Sequence, residues 1–412
     1  MIYVLLILLL LFCIIDLCKN KKIFSPSFIF NAIWFITLFL YQFKLSYIQQ
    51  DLSYRTIFIF YICVISFNSV ILVLNILNSK FKICSKKDKE KRNFLDRFKD
   101  IINKIFTQNS IEQKVRYAKY LAIIIFIIEV IYSGGVPLVW KIIGSEKVYI
   151  DFGIPSLHGA FCGMIICLGA YSLFTKSKDK FLYLGIGVLI ISRQIILSMI
   201  IEGIIFEIFR NKNHKKYWKK IILIAIIAVI GFTVIGNFRS GSDVMDNVFQ
   251  AKEEYKMLPD TVKWIYSYMT FSISNFNKLV GMTDGCVNYG TTMLKELLPT
   301  VVLEAVNIKV NEAYVYLVSL NYNVSTYLPN IYLDFGIFGI GVANALIALL
   351  GFYLYKKVRE ENSIKNTLLY AVFLHNIVFL FFINMFLYLP IIVQFFYIPL
   401  LFSEKEKSKN EL

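Results

Sequence analysis

Residues 181–209 read FLYLGIGVLIISRQIILSMIIEGIIFEIF, and the number of times this run crosses a bilayer sets the topology of everything after it. As a single helix its 29 residues would be roughly 43 Å long, against about 30 Å of hydrocarbon core. Its middle carries Arg193-Gln194, and both flanks are basic: KSKDK at 176–180 and RNKNHKKYWKK at 210–220. Lys and Arg collect on the cytoplasmic side of membrane proteins. Both flanks lie inside only if the run crosses twice, as two short helices with Arg193 at the far turn.

The composition around this run agrees. Of 412 residues, 57% are hydrophobic and 17% charged, with a mean hydropathy of +0.62. Soluble domains run near 45–50% apolar and about 25% charged. A typical soluble enzyme, a disordered regulator and a fibrous protein are therefore excluded. The net charge of +16 does not point to nucleic acid, because the basic residues sit in short runs between apolar blocks. The seven Cys are scattered without a CxxC pair, and there are three His. The expectation is no metal and no cofactor.

Apolar blocks cover 2–18, 27–43, 56–77, 119–133, 158–174, 181–209, 220–236, 332–354, 367–384 and 387–402. The first ends at Asp16 and lacks a small-residue cleavage site, so it reads as a span. With 181–209 crossing twice, the chain is an all-α polytopic membrane protein of about eleven transmembrane helices, N-terminus outside and C-terminus inside. That arrangement puts 32 of the 44 Lys and Arg on the inside. A single crossing would put the basic loops 210–220 and 356–365 outside. One integral membrane domain is expected, with a basic cytoplasmic loop at 78–118 facing anionic lipid. An outer loop spans 134–157 and a large one 237–331. The large loop is too rich in Tyr, Phe, Leu and Val to be a disordered linker, and predicts amphipathic helices at the membrane surface or over a cavity.

Arg193 and Arg239, the latter in GNFRSGS, both emerge at the outer face on this topology. A guanidinium fork fits phosphate oxygens and keeps its charge, so the two together suit a pyrophosphate. The plainer alternative is a snorkelling or turn-capping role. In the outer loop, Lys147 and Tyr149 have the basic and aromatic character of a sugar subsite, or of the ordinary interfacial belt. His158 opens the next block as a base or as a structural helix-start residue. In 321–341, NYNVSTYLPNIYLDFGIFGIG, Ser325 and Thr326 lie beside a span. Asp334 there is either an acid/base or a helix N-terminal carboxylate. Gly336, Gly339 and Gly341 permit close helix packing in lipid. Glu129, Glu202 and Glu207 are carboxylates of the kind a proton-coupled transporter uses, though no matching halves accompany them.

The order SGGVPL, IDFGIPSLHG, ISRQ, GNFRS and STYLPNIYLDFGIFGIG, over roughly residues 119–355, resembles bacterial Wzy-type oligosaccharide repeat-unit polymerases of O-antigen and capsule synthesis. The resemblance implies a GT-C-like architecture in the bacterial cytoplasmic membrane. It implies glycosyl transfer on undecaprenyl-pyrophosphate-linked oligosaccharide at the outer face. It also implies a lipid bilayer setting, a flippase and a chain-length regulator as partners, and no nucleic acid. It makes Arg193 and Arg239 the pyrophosphate clamp, and Asp334 and His158 the proton acceptors. Lys147, Tyr149, Ser325 and Thr326 become sugar contacts. Related ligases carry a His followed by Asn, Ser or Gln, then nine residues, then Gly-x-x-Gly. Here Ser325-Thr326 keeps that spacing to Gly336-Ile-Phe-Gly339 without the His. The Arg-x10-Gly pattern of some polymerases is absent, with Ile204 and Gln250 at the Gly positions. A lipid-linked oligosaccharide transporter and a ligase are the alternatives.

Overall fold

The computed structural model describes residues 1–20, 23–81, 110–210, 249–298, 302, 316–319 and 322–403. The described residues are helical throughout, with one isolated bridge, Ser46 to Ala251, and no strands. The helices are α1 (Ile2–Asn20), α2 (Pro26–Tyr41), α3 (Tyr54–Phe81), α4 (Ile111–Ser133), α5 (Pro137–Ile143), α6 (Leu157–Thr175) and α7 (Asp179–Leu189). They continue as α8 (Arg193–Arg210), α9 (Asp260–Met282), α10 (Thr291–Leu297), α11 (Leu328–Glu360), α12 (Ile364–Phe379), α13 (Leu389–Ile392) and α14 (Gln394–Phe402).

The run 181–209 does break at Arg193. Ile191 takes a left-handed φ of 55°, which a β-branched residue rarely adopts. The turn is closed by Ile191 N–H to Val188 O at 2.9 Å and Ser192 N–H to Gly187 O at 3.0 Å. Gly187 lets the limbs close, since a Cβ there would lie 2.8 Å from Ile196. α7, of 11 residues, is only about 16 Å long, short of the hydrocarbon thickness.

Among the described residues, four helices are long and apolar enough to cross a membrane: Tyr54–Asn78, Ile111–Ile143, Leu157–Thr175 and Leu328–Glu360. Shorter apolar helices cover Ile2–Cys18, Pro26–Tyr41, Ile364–Phe379 and Leu389–Phe402. Large apolar side chains on the outside of α1 and α4, such as Val4, Ile7, Ile124 and Ile131, suit lipid contact. The chain is consistent with a helical membrane protein. The expected span 220–236 lies outside the described residues. The block predicted at 119–133 starts earlier, at Ile111, because Ser110 and Gln113 form a reciprocal capping box.

Two compact units make up the chain. The first comprises Met1–Val73, Asn211–Lys356 and Phe373–Tyr388. Its interior is aromatic: Phe30 stacks on Phe67, and Trp34 meets Phe60 and Tyr327. Asn31 and Asn68 exchange amide hydrogen bonds at 2.9 Å, and Ser27 joins them, so these buried polar groups satisfy one another. α9 falls in the expected outer loop and packs into the interior of this unit along much of its length. Residues 270–276 are all buried, on every side of two turns. Its polar residues bind other backbone: Asn275 Nδ2 donates to Tyr322 O and Val324 O, and its Oδ1 accepts from Val318 N.

The second unit comprises Leu74–Arg210, Lys357–Val372 and Leu389–Leu412. Small residues let its helices close. A Cβ at Gly169 would meet Met199 Sδ at 2.2 Å, and one at Gly163 would meet Pro390 O at 2.5 Å.

Candidate functional site

In the first unit, the segment 322–341 folds around a break in α11. Gly336 sits at φ 60°, ψ −155°, a backbone state essentially confined to glycine. The break frees the carbonyls of Tyr332 and Leu333 from their i+4 partners. Segment 286–288 takes them up instead. Cys286 N–H bonds Tyr332 O at 2.9 Å, and Val287 and Asn288 N–H bond Leu333 O at 2.7 and 3.0 Å. Gly336 is thus required by backbone geometry, rather than by the helix packing expected of it. Gly341 does approach α3, within 3.5 Å of Ile62. Arg55 ties down the same segment through Asp284, with Nη2 donating to Asp284 O at 2.8 Å.

This arrangement decides the role of Asp334. It is fully buried, and its two oxygens accept the N–H groups of Thr292 (3.0 Å) and Met293 (2.8 Å). A carboxylate on the first N–H groups of α10 is a helix cap favoured by the dipole. The expectation of a catalytic base is replaced by this structural role, and Asp334 is not among the residues lining the cavity described next.

What Asp334 positions is the wall of that cavity, about 210 Å³ in volume. Thr292 and Lys295 of α10 line it, together with Asn323, Ser325, Thr326 and Asn330. Glu296, Asn384, Leu387 and Tyr388 complete the polar and apolar edge. Ser325 Oγ donates to Ser272 O at 3.3 Å, and Thr326 Oγ1 accepts from Leu328 N at 3.3 Å. Asn384 bridges Tyr327 O (3.4 Å) and Phe386 N (3.2 Å). Both Ser325 and Thr326 line the cavity. Lys295 and Glu296 were not singled out there, because nothing in TTMLKEL marks it as a cavity wall until Asp334 caps it.

Behind the cavity edge, Phe249, Trp264, Tyr266, Phe271 and Tyr322 form a buried cluster. Burial pushes the Tyr266 phenol above its ordinary range, partly offset by hydrogen bonds to Leu45 N and Gln49. Burial raises Tyr322 much further.

The second unit holds the other candidates. Lys147 Nζ donates to Ser133 O at 2.7 Å and lies 5.3 Å from the Trp140 ring centre. It thereby caps the C-terminus of α4, where a cation is favoured. Tyr149 lies in a short 3-10 turn, Tyr149–Asp151. His158 Nδ1 is 2.9 Å from Glu129 Oε2, and Nε2 is 3.3 Å from Cys162 Sγ. Arg193 opens α8 beside the turn. Arg239 lies outside the described residues, so the two-arginine clamp has no described geometry. Among the described residues, no three His, Cys, Asp or Glu side chains gather as a metal site. No family model, curated protein or solved structure matches the chain.

Proposed function

We propose that the chain polymerises lipid-pyrophosphate-linked oligosaccharide repeat units at the outer face of the bacterial cytoplasmic membrane. The observation that carries this reading is the cavity around Ser325 and Thr326. Hydroxyl and amide side chains in one small cleft match sugar hydroxyls, which both donate and accept. Tyr388 adds an aromatic surface for sugar C–H groups. Pockets for drug-sized ligands run about 300–1,000 Å³. At about 210 Å³ this one suits a terminal sugar rather than a whole repeat unit.

The chemistry follows from the charges at the edge. The acceptor hydroxyl oxygen attacks the anomeric carbon. The bond from that carbon to pyrophosphate breaks, and the electron pair leaves with the phosphate. Lys295 stabilises that developing charge, and Glu296, in place of Asp334, takes the hydroxyl proton. Arg193 and Arg239 remain the guanidinium candidates for the lipid pyrophosphate. The basic-loop pattern supports about eleven crossings, and the resemblance implies a GT-C-like arrangement with a flippase and a chain-length regulator as partners. A transporter of lipid-linked oligosaccharide is the second reading, favoured by fully buried Glu129 in a span-length helix.

Lipid-linked species in a deletion strain separate the two. A polymerase leaves single repeat units at the outer face, and Glu296→Gln fails to restore long chains. Units trapped on the cytoplasmic face support the transporter and overturn the polymerase.

A further inference from the structure

The second unit contains a carboxylate that this chemistry does not use. Glu129 is fully buried in α4; its Oε2 meets His158 Nδ1 at 2.9 Å, and its Oε1 has no hydrogen-bond partner among the described residues. Two apolar side chains of similar volume would pack here at less cost than a buried carboxylate with one oxygen unsatisfied. The imidazole is also held on several sides. Phe152 meets it edge-on at 5.5 Å and Phe161 lies at 6.2 Å. Gly153, at φ 96°, lies so close that a Cβ would come within 2.6 Å of Nδ1. Its own N–H is fixed by Ser133 Oγ at 2.9 Å. Even so, 27% of the His158 side chain stays exposed. The nearby charges are engaged elsewhere: Lys147 on Ser133 O, and Asp151 on Val148 N–H.

An ionised carboxylate only accepts, so the hydrogen between Glu129 and His158 belongs to Nδ1. Nε2 is then the basic nitrogen, with the Cys162 thiol, a weak donor, as its resting partner. We propose that Glu129 and His158 form a proton-accepting dyad. Glu129 is the positioning residue that fixes the tautomer, and Nε2, released from the Cys162 thiol, takes the proton of an alcohol hydroxyl. As the hydroxyl oxygen bonds to an electrophilic carbon and that carbon's leaving group departs with its electron pair, the O–H bond breaks and an N–H bond forms at Nε2; the carboxylate stabilises the resulting imidazolium. The inference stands independently of the cavity in the first unit.

The chain has three histidines, His158, His214 and His375, so ¹⁵N-histidine labelling of the full-length protein in detergent gives few signals. His158→Asn identifies the signal of interest. At about pH 8, above the ordinary imidazole range, the expected state is hydrogen on Nδ1 and a bare Nε2. Hydrogen on Nε2 overturns the proposal. In Glu129→Leu the ring should revert to the Nε2–H tautomer. Its bare Nδ1 would then be shut in by Gly153, and diethyl pyrocarbonate should modify His158 about tenfold more slowly. An equal rate in the two proteins contradicts the positioning role. Should Glu129→Leu fail to fold, the wild-type tautomer alone decides. Neither readout uses polysaccharide synthesis, so the result is separate from the fate of the polymerase reading.

Discussion

Two polar sites among the described residues are built in opposite ways. The cavity of the first unit is walled by neutral hydroxyls and amides, with Lys295 and Glu296 exposed at its edge. The dyad of the second unit joins a sealed carboxylate to an imidazole that stays 27% exposed. An open neutral cleft suits reversible binding of a polar ligand, because its groups are solvated when empty. A sealed carboxylate suits control of one proton, because low polarity strengthens the hydrogen bond that orients the ring. Asp334 shows the contrast within one residue type: it is as buried as Glu129, but both its oxygens are satisfied by backbone N–H groups.

The largest expected effect tests that last contrast. Asp334→Ala orphans two buried N–H groups and should cost about 2–4 kcal/mol in thermal unfolding in detergent. A neutral result would return Asp334 to the list of chemical residues. Gly153→Ala is next, with about 1–3 kcal/mol expected from the left-handed backbone and the crowded His158 ring. Full stability in this variant would mean that the ring is loosely held and the dyad is not preorganised.

Alkaline pH probes the aromatic wall behind the cavity. The unfolded chain ionises tyrosine near pH 10, whereas burial raises the folded values of Tyr266 and Tyr322. The neutral form is therefore favoured by folding. Its stabilisation is complete below about pH 10 and is lost as pH rises through the folded values. Unfolding midpoints should fall on the alkaline side, and Tyr322→Phe should flatten that fall. An unchanged slope in that variant would remove Tyr322 from the explanation. The smallest stability effect belongs to the cavity itself. Ser325→Ala should change unfolding by less than about 1 kcal/mol, and Thr326→Val by about 1 kcal/mol, because it leaves Leu328 N–H without its acceptor. Oligosaccharide binding, read by calorimetry, should weaken roughly tenfold. A large stability loss with unchanged binding would make these hydroxyls structural.

The sequence made much of this legible where the signal was local. Basic flanks and Arg193 located the break in 181–209, although α7 is shorter than a bilayer-spanning limb. Ser325 and Thr326 were visible because polar residues beside an apolar run are unusual. Long-range partners were not legible. Glu129 and His158 are separated by 29 residues, and Asp334 by more than forty from the N–H groups it caps. No periodicity encodes such pairings. Gly336 looked like a packing residue because its requirement is a backbone dihedral, set by segment 286–288 rather than by its neighbours in the chain.

The most direct test of the central claim is the length distribution of cell-surface polysaccharide in a deletion strain complemented with wild type, Glu296→Gln or the Ser325→Ala/Thr326→Val double variant. All three proteins should be present at equal levels in the membrane. The account predicts long chains with wild type, and single lipid-linked repeat units at the outer face with either variant. Full-length polymer from both variants would contradict it.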